Sequence, residues 1–336
     1  MTEETIPAKV RISLGSAMLL GLIEGTMNVE LTTLYLLTYH PRKCLANCSF
    51  CSQARSSTSR TNTLSRITWP TFFTKDLGVR LKYLDKDLVK RICVQAMNYA
   101  TMFSEVLGLI QAIRSEIDVP ISVACQPLTF QQILRLKEGG IDRVSIPLDA
   151  STEQLFNNVK GSTVGGPYTW ASHLEALRIA VQVFGSFKVS THLIVGLGEQ
   201  DEELLYMVQK LFDMGVYPAL FAFTPLPGTN LEKKNQPSIE RYRSIQLAHF
   251  LITHKKTRFE HLTFDQRGRI RNFNLDEQLF QELVKTGTPF MTSGCPSCNR
   301  PFYNERARGP IYNYPRQLST VDVCEVEATI RSYLNG

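Results

Sequence analysis

The chain shows no apolar run long enough to cross a bilayer, no low-complexity segment, no short internal repeat and no secretory signal. The apolar stretch Ala17 to Ile23 is too short for a span, is bounded by Ser16 and Glu24, and reads as a core helix. A cytoplasmic protein that contacts no membrane is the expectation. Charge of one sign is also scarce: 37 Lys and Arg against 31 Asp and Glu give a net +6. So mild a balance points to a solvated surface, with an acidic protein as the charged partner it allows, and no nucleic-acid partner is expected. Eight cysteines without a secretory signal argue against disulfides and for ligand roles in a reducing compartment. What is plentiful is core material, with 43% hydrophobic residues over 336 positions. That suits an α/β barrel of about 250 residues with extensions at both ends.

The stretch Lys43 to Arg55 reads K-C-L-A-N-C-S-F-C-S-Q-A-R and sets Cys44, Cys48 and Cys51 in a C-x3-C-x2-C spacing. Structural zinc and ordinary electron-transfer clusters take four protein ligands. Three thiolates on a 4Fe-4S cluster leave one iron open to a substrate or cofactor, and a short loop with thiolates at i, i+4 and i+7 can wrap three corners of a cubane. A zinc knuckle or plain buried thiols are the alternatives. Zinc sites, however, usually pair C-x2-C units, and the other such unit, Cys295-Pro296-Ser297-Cys298, is far along the chain.

Along the chain, residues 6 to 27 read as an N-terminal helix, with Ile12, Leu19, Leu20 and Ile23 near helical spacing. Leu34 to Tyr39 is a first strand that delivers the cysteine loop. Further strands are predicted at Arg91 to Met97, Ile121 to Cys125, Arg143 to Asp149, Lys188 to Val195 and Ala219 to Thr224, with Glu260 to Arg269 as a possible seventh. Helical patterns lie between them, at 103–116, 130–138, 170–184, 202–214 and 239–252. Regular alternation means right-handed βαβ units and a parallel sheet, hence a full or partial TIM-type barrel. The expected division is a helical extension over 1–33, a barrel over 34–285, and an irregular extension over 286–336 that covers a site and ends in a helix at 321–334.

Chemistry in such barrels gathers at the C-terminal strand ends. Polar and sulfur-bearing residues fall there: the triplet after the first strand, Cys93 and Gln95, Cys125 and Gln126, Asp149, and the turn Ile194 to Glu199. Cys93 and Cys125 are equally readable as small core residues, and Asp149 as the cap of a helix beginning near Thr152. Cys295 and Cys298 form a ligand turn, a zinc half-site or a redox pair. Cys324 reads as buried, Ser190 as structural, His40 and His192 as rim or core histidines, and Arg300 and Arg308 as surface residues or groups beside a second metal site.

The triplet with Phe50 before its third cysteine resembles the signature of the radical S-adenosylmethionine (SAM) superfamily. Ser52 to Arg55, the Arg91-Ile92-Cys93 strand, Cys125, Leu148-Asp149 and the Ile194 to Glu199 turn are similar to those of biotin synthase and its relatives. The resemblance implies a radical SAM barrel in which Cys44, Cys48 and Cys51 hold a catalytic 4Fe-4S cluster whose open iron binds SAM. It also implies that Asp149 bonds SAM or orients the substrate, and that Phe50, Ile194, Val195 and Gly196 line the adenine. One electron, from a ferredoxin or flavodoxin, would then cleave SAM to a radical that takes hydrogen from unactivated carbon. Biotin synthase holds a second cluster with a third strand cysteine, where this chain has Ser190. With Cys295 and Cys298 in the tail, the pattern resembles instead the two-protein lipoyl synthase found mainly in archaea. That implies an auxiliary 4Fe-4S cluster on Cys93, Cys125, Cys295 and Cys298 in the barrel mouth, an octanoylated lipoyl-carrier domain or H-protein as substrate, and a second radical SAM partner. Biotin synthase, or another radical SAM enzyme acting on a small molecule, is the rival reading. Replacing Cys44, Cys48 and Cys51 by alanine is expected to abolish the SAM-responsive part of the brown colour of anaerobically purified protein, as read by its absorption spectrum with and without SAM.

Overall fold

The computed structural model describes residues 5–305 and 309–335. Arg308 lies outside the described residues. The chain opens with β1 (Lys9–Ile12) and the short helix α1 (Leu14–Leu19), then β2 (Thr33–Thr38), the hairpin β3 (Thr63–Leu64) and β4 (Ile67–Thr68), and β5 (Thr71–Phe73) leading into α2 (Thr74–Leu81). Alternation follows through β6 (Arg91–Gln95), α3 (Met102–Arg114), β7 (Ile121–Ala124), α4 (Phe130–Glu138), β8 (Arg143–Ser145), α5 (Glu153–Val159), α6 (Trp170–Phe184), β9 (Val189–Val195), α7 (Asp201–Asp213), β10 (Val216–Ala222) and α8 (Ile239–Thr253). A small hairpin, β11 (Thr263–Phe264) with β12 (Ile270–Asn272), precedes α9 (Glu277–Thr286), the irregular tail and α10 (Thr320–Asn335).

Six strands pair in parallel in the order β2-β6-β7-β8-β9-β10, each reached through a helical crossover, which is the architecture of a partial TIM-type barrel. Their helix-facing residues, among them Ile92, Val94, Ile121, Val144, Val189 and Leu220, are buried almost completely, while alternate residues such as Cys93, Gln95, Ser122, Ser145, Ser190 and Phe221 face the interior. The helices start where side chains satisfy the first amides: Thr129 and Gln132 form a capping box on α4, while Thr152, Thr169 and Ser238 cap α5, α6 and α8.

The sequence reading fails at two places. Residues 6–27 are not one helix: β1 pairs antiparallel with β2 on one side and β5 on the other, and only Leu14–Leu19 is helical. Strand pairing on both edges outweighs the helical spacing, since Val10 and Ile12 bury on one face while Arg11 bonds the His40 carbonyl and Gln53 on the other. Nor is 260–269 a seventh barrel strand, because the turn at Asp265 to Gly268 folds it into the separate β11–β12 hairpin. No helix among the described residues is long and apolar enough to cross a membrane.

Between β10 and the β2–β1 side the six-stranded wall does not close, and the tail fills that seam. The β10 edge donates its Leu220 N–H to Ser293 Oγ at 2.9 Å, and on the other side the hydroxyls of Thr32 and Thr33 bond the Ser297 carbonyl at 2.6 and 2.9 Å. Helix α10 packs on α8 and on the β12 hairpin through Val326, Ile330 and Tyr333, whose hydroxyl donates to Asp201 at 2.8 Å. Ile330 is wholly buried, so Ile330→Ala is expected to lower stability by about 2–5 kcal/mol in urea unfolding.

Candidate active site

Strand β2 releases the chain at its C-terminal end into a loop bonded to itself. Cys44 N–H donates to the Gln53 carbonyl at 2.9 Å, Cys51 N–H to the Cys48 carbonyl at 3.0 Å and Arg55 N–H to the Ala46 carbonyl at 2.8 Å. Lys43 ties the same loop to the carbonyls of Ser52 and Ser59, and Ser49 N–H anchors it to Val159 at the end of α5. Cys44, Cys48 and Cys51 consequently line one cavity of about 200 Å³ at the C-terminal mouth, together with Phe50, Asp149 and Ile194.

Two amides are aimed at these sulfurs, Asn98 N–H at 3.2 Å from Cys44 Sγ and Gln53 N–H at 3.4 Å from Cys51 Sγ. Such bonds favour thiolate. Burial opposes them: it pushes the Cys48 thiol far up and Cys51 up to about 11, with the neighbouring sulfurs adding to both. A bound cationic centre reverses that balance, because cysteine ligates metal as thiolate. Among the described residues no three His, Cys, Asp or Glu side chains converge tightly enough for a single ion. A cubane takes each thiolate on a different iron, and three cysteines of one loop lining a common cavity are a donor set that fits such a cluster.

Asp149 sits at the strand ends with φ +70°, its N–H on the His192 carbonyl and its carbonyl accepting from Ile194 N–H. It does not cap α5, a task done by the Thr152 hydroxyl at 3.2 Å from Leu155 N. Its carboxylate instead meets Lys160 Nζ at 2.8 Å, a lysine with no solvent exposure that also donates to the Pro147 carbonyl. Sequence reasoning missed Lys160: a lone lysine eleven positions after an aspartate, closing a short helix, has no pattern to mark it. Of the turn after β9, Ile194 lines the cavity, Val195 is buried in the core, and Gly196 does not reach the cavity wall. Gly196 is a glycine of necessity, since its φ is +103° and a Cβ there would lie 2.8 Å from Pro237. Glu199 holds this turn by accepting from the amides of Gly196 and Gly198.

Below this mouth the space continues down the barrel axis. Gln95, Ala124, His192, Phe221 and Tyr303 border both the first cavity and a second one, whose walls include Cys93, Cys295, Cys298, Ser190 and Arg300. The tail cysteines therefore lie toward the N-terminal end of the strands, opposite the triplet, rather than in the mouth as expected. Cys93 is pushed up to about 12 by burial and by the two tail sulfurs. Cys125 lines the first cavity instead and is raised to about 12 by burial alone. Arg300 is no surface residue: it lies over the Phe221 ring at 3.8 Å and donates to the Ser293 carbonyl at 2.7 Å. Tyr35 fixes the loop, its hydroxyl accepting from Arg300 N–H at 2.8 Å and 3.5 Å from Cys298 Sγ. His192 is held neutral by burial, which lowers it to about 3, and His40 stacks on Tyr99. Cys324, read as buried, is exposed. Tyr35 and Tyr303 had no signal beyond being aromatic.

The sequence profile of the Radical SAM superfamily matches residues 38–211, just over half of the 336. The chain belongs to the radical SAM superfamily. Membership implies a 4Fe-4S cluster and SAM, and the fitted triplet falls inside the matched span, whereas Cys295 and Cys298 fall outside it. This radical SAM protein is similar to biotin synthase of Prochlorococcus marinus strain MIT 9515, 27% identical over 223 residues that make up 64% of this chain and 62% of that one. It is also similar to biotin synthase of strain AS9601, at 24% over 70% of this chain and 68% of the relative. The chain thus spans less than two thirds of the first of these. Among solved structures, HydG, a maturase of FeFe-hydrogenase, superposes with a TM-score of 0.50 at 15% identity over 63% of this chain and 48% of that one, a likeness of fold.

Removing the Lys160 charge with Lys160→Met leaves the Asp149 carboxylate buried and unpaired. The expected cost is about 3–5 kcal/mol in chemical unfolding, largely recovered when Asp149→Asn is added.

Proposed function

We propose that this radical SAM enzyme is a sulfurtransferase that takes sulfur from an auxiliary 4Fe-4S cluster and inserts it into unactivated C–H bonds of a protein-bound octanoyl (or mercapto-octanoyl) chain, in lipoyl cofactor assembly. One observation carries the reading: Cys93, Cys295 and Cys298 gather at the far end of the same axial space whose mouth holds the triplet. A chain between the two sets would have a hydrogen-abstracting site on one side and a sulfur source on the other. The auxiliary site then rests on Cys93, Cys295 and Cys298, with Arg300 beside them and Cys125 outside the set. When bound, the catalytic cluster with SAM supplies one-electron chemistry for C–H bonds that no base can deprotonate. The protein's own residues do the rest: Asp149, fixed by Lys160, orients the cofactor; Phe221 and Tyr303 narrow the axis; and the tail keeps water out. The partners that fit are an octanoylated lipoyl-carrier domain or H-protein, a ferredoxin or flavodoxin, and a second radical SAM protein for the other carbon.

Biotin synthase is the second reading, favoured by the relatives it resembles and by Cys93 and Cys125. Against it stands Ser190, which lines the second cavity on β9 where that family places a cysteine.

An octanoyl-lysine peptide incubated with the protein, SAM and a strong reductant is expected to gain one sulfur by mass spectrometry, and about eight irons per chain should fall to about four in Cys295→Ala/Cys298→Ala, with SAM cleavage retained and sulfur gain lost. A 2Fe-2S second site, with sulfur gained by a free small molecule instead, would favour the biotin reading.

A further inference from the structure

A third cavity, of about 230 Å³, lies beside the axial space between α1, residues 26–31, the β3–β4 hairpin and tail residues 300–303. Exposed Thr26, Arg66 and Thr68 mark its outer end, and buried Leu31, Tyr35 and Trp69 its inner end. Tyr303 borders all three cavities, and Tyr35 and Arg300 border this one and the second. Its inner end is therefore parted from the axis by Tyr303, whose hydroxyl donates to the Gln95 side chain at 3.1 Å.

The polar groups of its inner wall are already bonded. Ser13 Oγ donates to Ser16 Oγ at 2.8 Å, Trp69 Nε1 to the Leu64 carbonyl at 3.2 Å, and Arg300 to the Ser293 carbonyl. What remains to meet a ligand is Leu14, Met18, Met27, Leu31, Ile67 and Phe302. Methionine and aliphatic side chains adapt to a flexible chain and offer a charged head nothing. Access is restricted elsewhere, since the mouth is the cofactor's place and the loop of Cys295 to Cys298 closes the N-terminal end.

We propose that this cavity is the binding site for an unbranched, saturated acyl chain joined by an amide to its carrier. The chain enters from the side, keeps the amide near Thr26 and Arg66, and ends at Tyr303. The acyl nature of the substrate rests on the sulfur-insertion reading, while the apolar lining and lateral entry are independent of it. Ser65, at the hairpin turn, bonds the Tyr303 carbonyl at 2.6 Å and so couples the cavity wall to the residue at the junction.

The test uses anaerobically prepared, cluster-loaded full-length protein and titrates N-butanoyl-, N-hexanoyl- and N-octanoyl-lysine amide by calorimetry in the presence of SAM. Affinity should rise roughly fourfold per added methylene. Ile67→Trp and Met27→Trp fill the cavity from opposite walls, and each should weaken the octanoyl probe by about tenfold or more, the loss of two buried methylenes, with iron content and SAM affinity unchanged. Two variants are used so that one misfolded protein, recognised by lost SAM binding, still leaves the other to decide. Affinity independent of chain length, or undisturbed by the folded variants, overturns the assignment. Chain-length-dependent binding without sulfur gain would uphold the cavity and defeat the sulfurtransferase reading, and sulfur gain with unaltered binding in the variants would do the reverse.

Discussion

Six parallel strands do not wrap into a closed barrel, and the unpaired edge of β10 must be covered by something else. Almost every feature of the site follows from how that is done. The tail crosses the seam with Ser293 on the Leu220 amide, and α8 covers the same strand with His249 on the Pro218 carbonyl at 2.6 Å. The tail's own limbs are tied by buried Glu305, which accepts from the amides of Asn304 and Asn313, and by Arg243, which donates to the carbonyls of Ile311 and Tyr312. The described residues of a segment with little regular structure are thereby tied to the barrel wall and to α8. The tail brings two thiols and Arg300 to an inner cavity that the barrel strands supply with one thiol, Cys93.

Electrostatics divides the interior into two regimes. At the mouth, Asp149 pairs with the fully buried Lys160, so the carboxylate is held in place with its charge offset beside the triplet. Deeper in, burial keeps His192 neutral and drives the Cys93 and Cys295 thiols toward their protonated forms. Cys48 and Cys51 at the mouth, and Cys93 and Cys295 below, are thus poorly suited to remaining free thiolates and well suited to a cationic centre that supplies the missing charge.

Much of this was legible in the residues. The triplet's spacing marks the open-cornered site, and the strand–helix alternation locates β6 to β10, α3, α4 and α6 to α8 to within a few residues, with only the start of α5 read, because each core strand is a short apolar run bounded by turns. Three kinds of information were not local enough to read. Lys9–Ile12 became a strand because two distant partners flank it. Lys160 matters through a buried contact with Asp149 that only the path of the chain between β8 and α5 creates. The tail cysteines read as mouth residues since nothing in C-P-S-C says which end of the strands it approaches. The bonds of Thr32, Thr33 and Arg91 to the carbonyls of that loop, which decide the matter, come from residues hundreds of positions earlier.

The seam has a consequence for how the protein is made. A chain emerging from the ribosome completes β10 some seventy residues before Ser293 reaches its edge. Throughout that interval the nascent barrel offers an open strand and an uncovered apolar bore to its surroundings, the two features most prone to intermolecular pairing. A truncation upstream of the tail would leave that edge uncovered and so favour aggregation over a smaller enzyme.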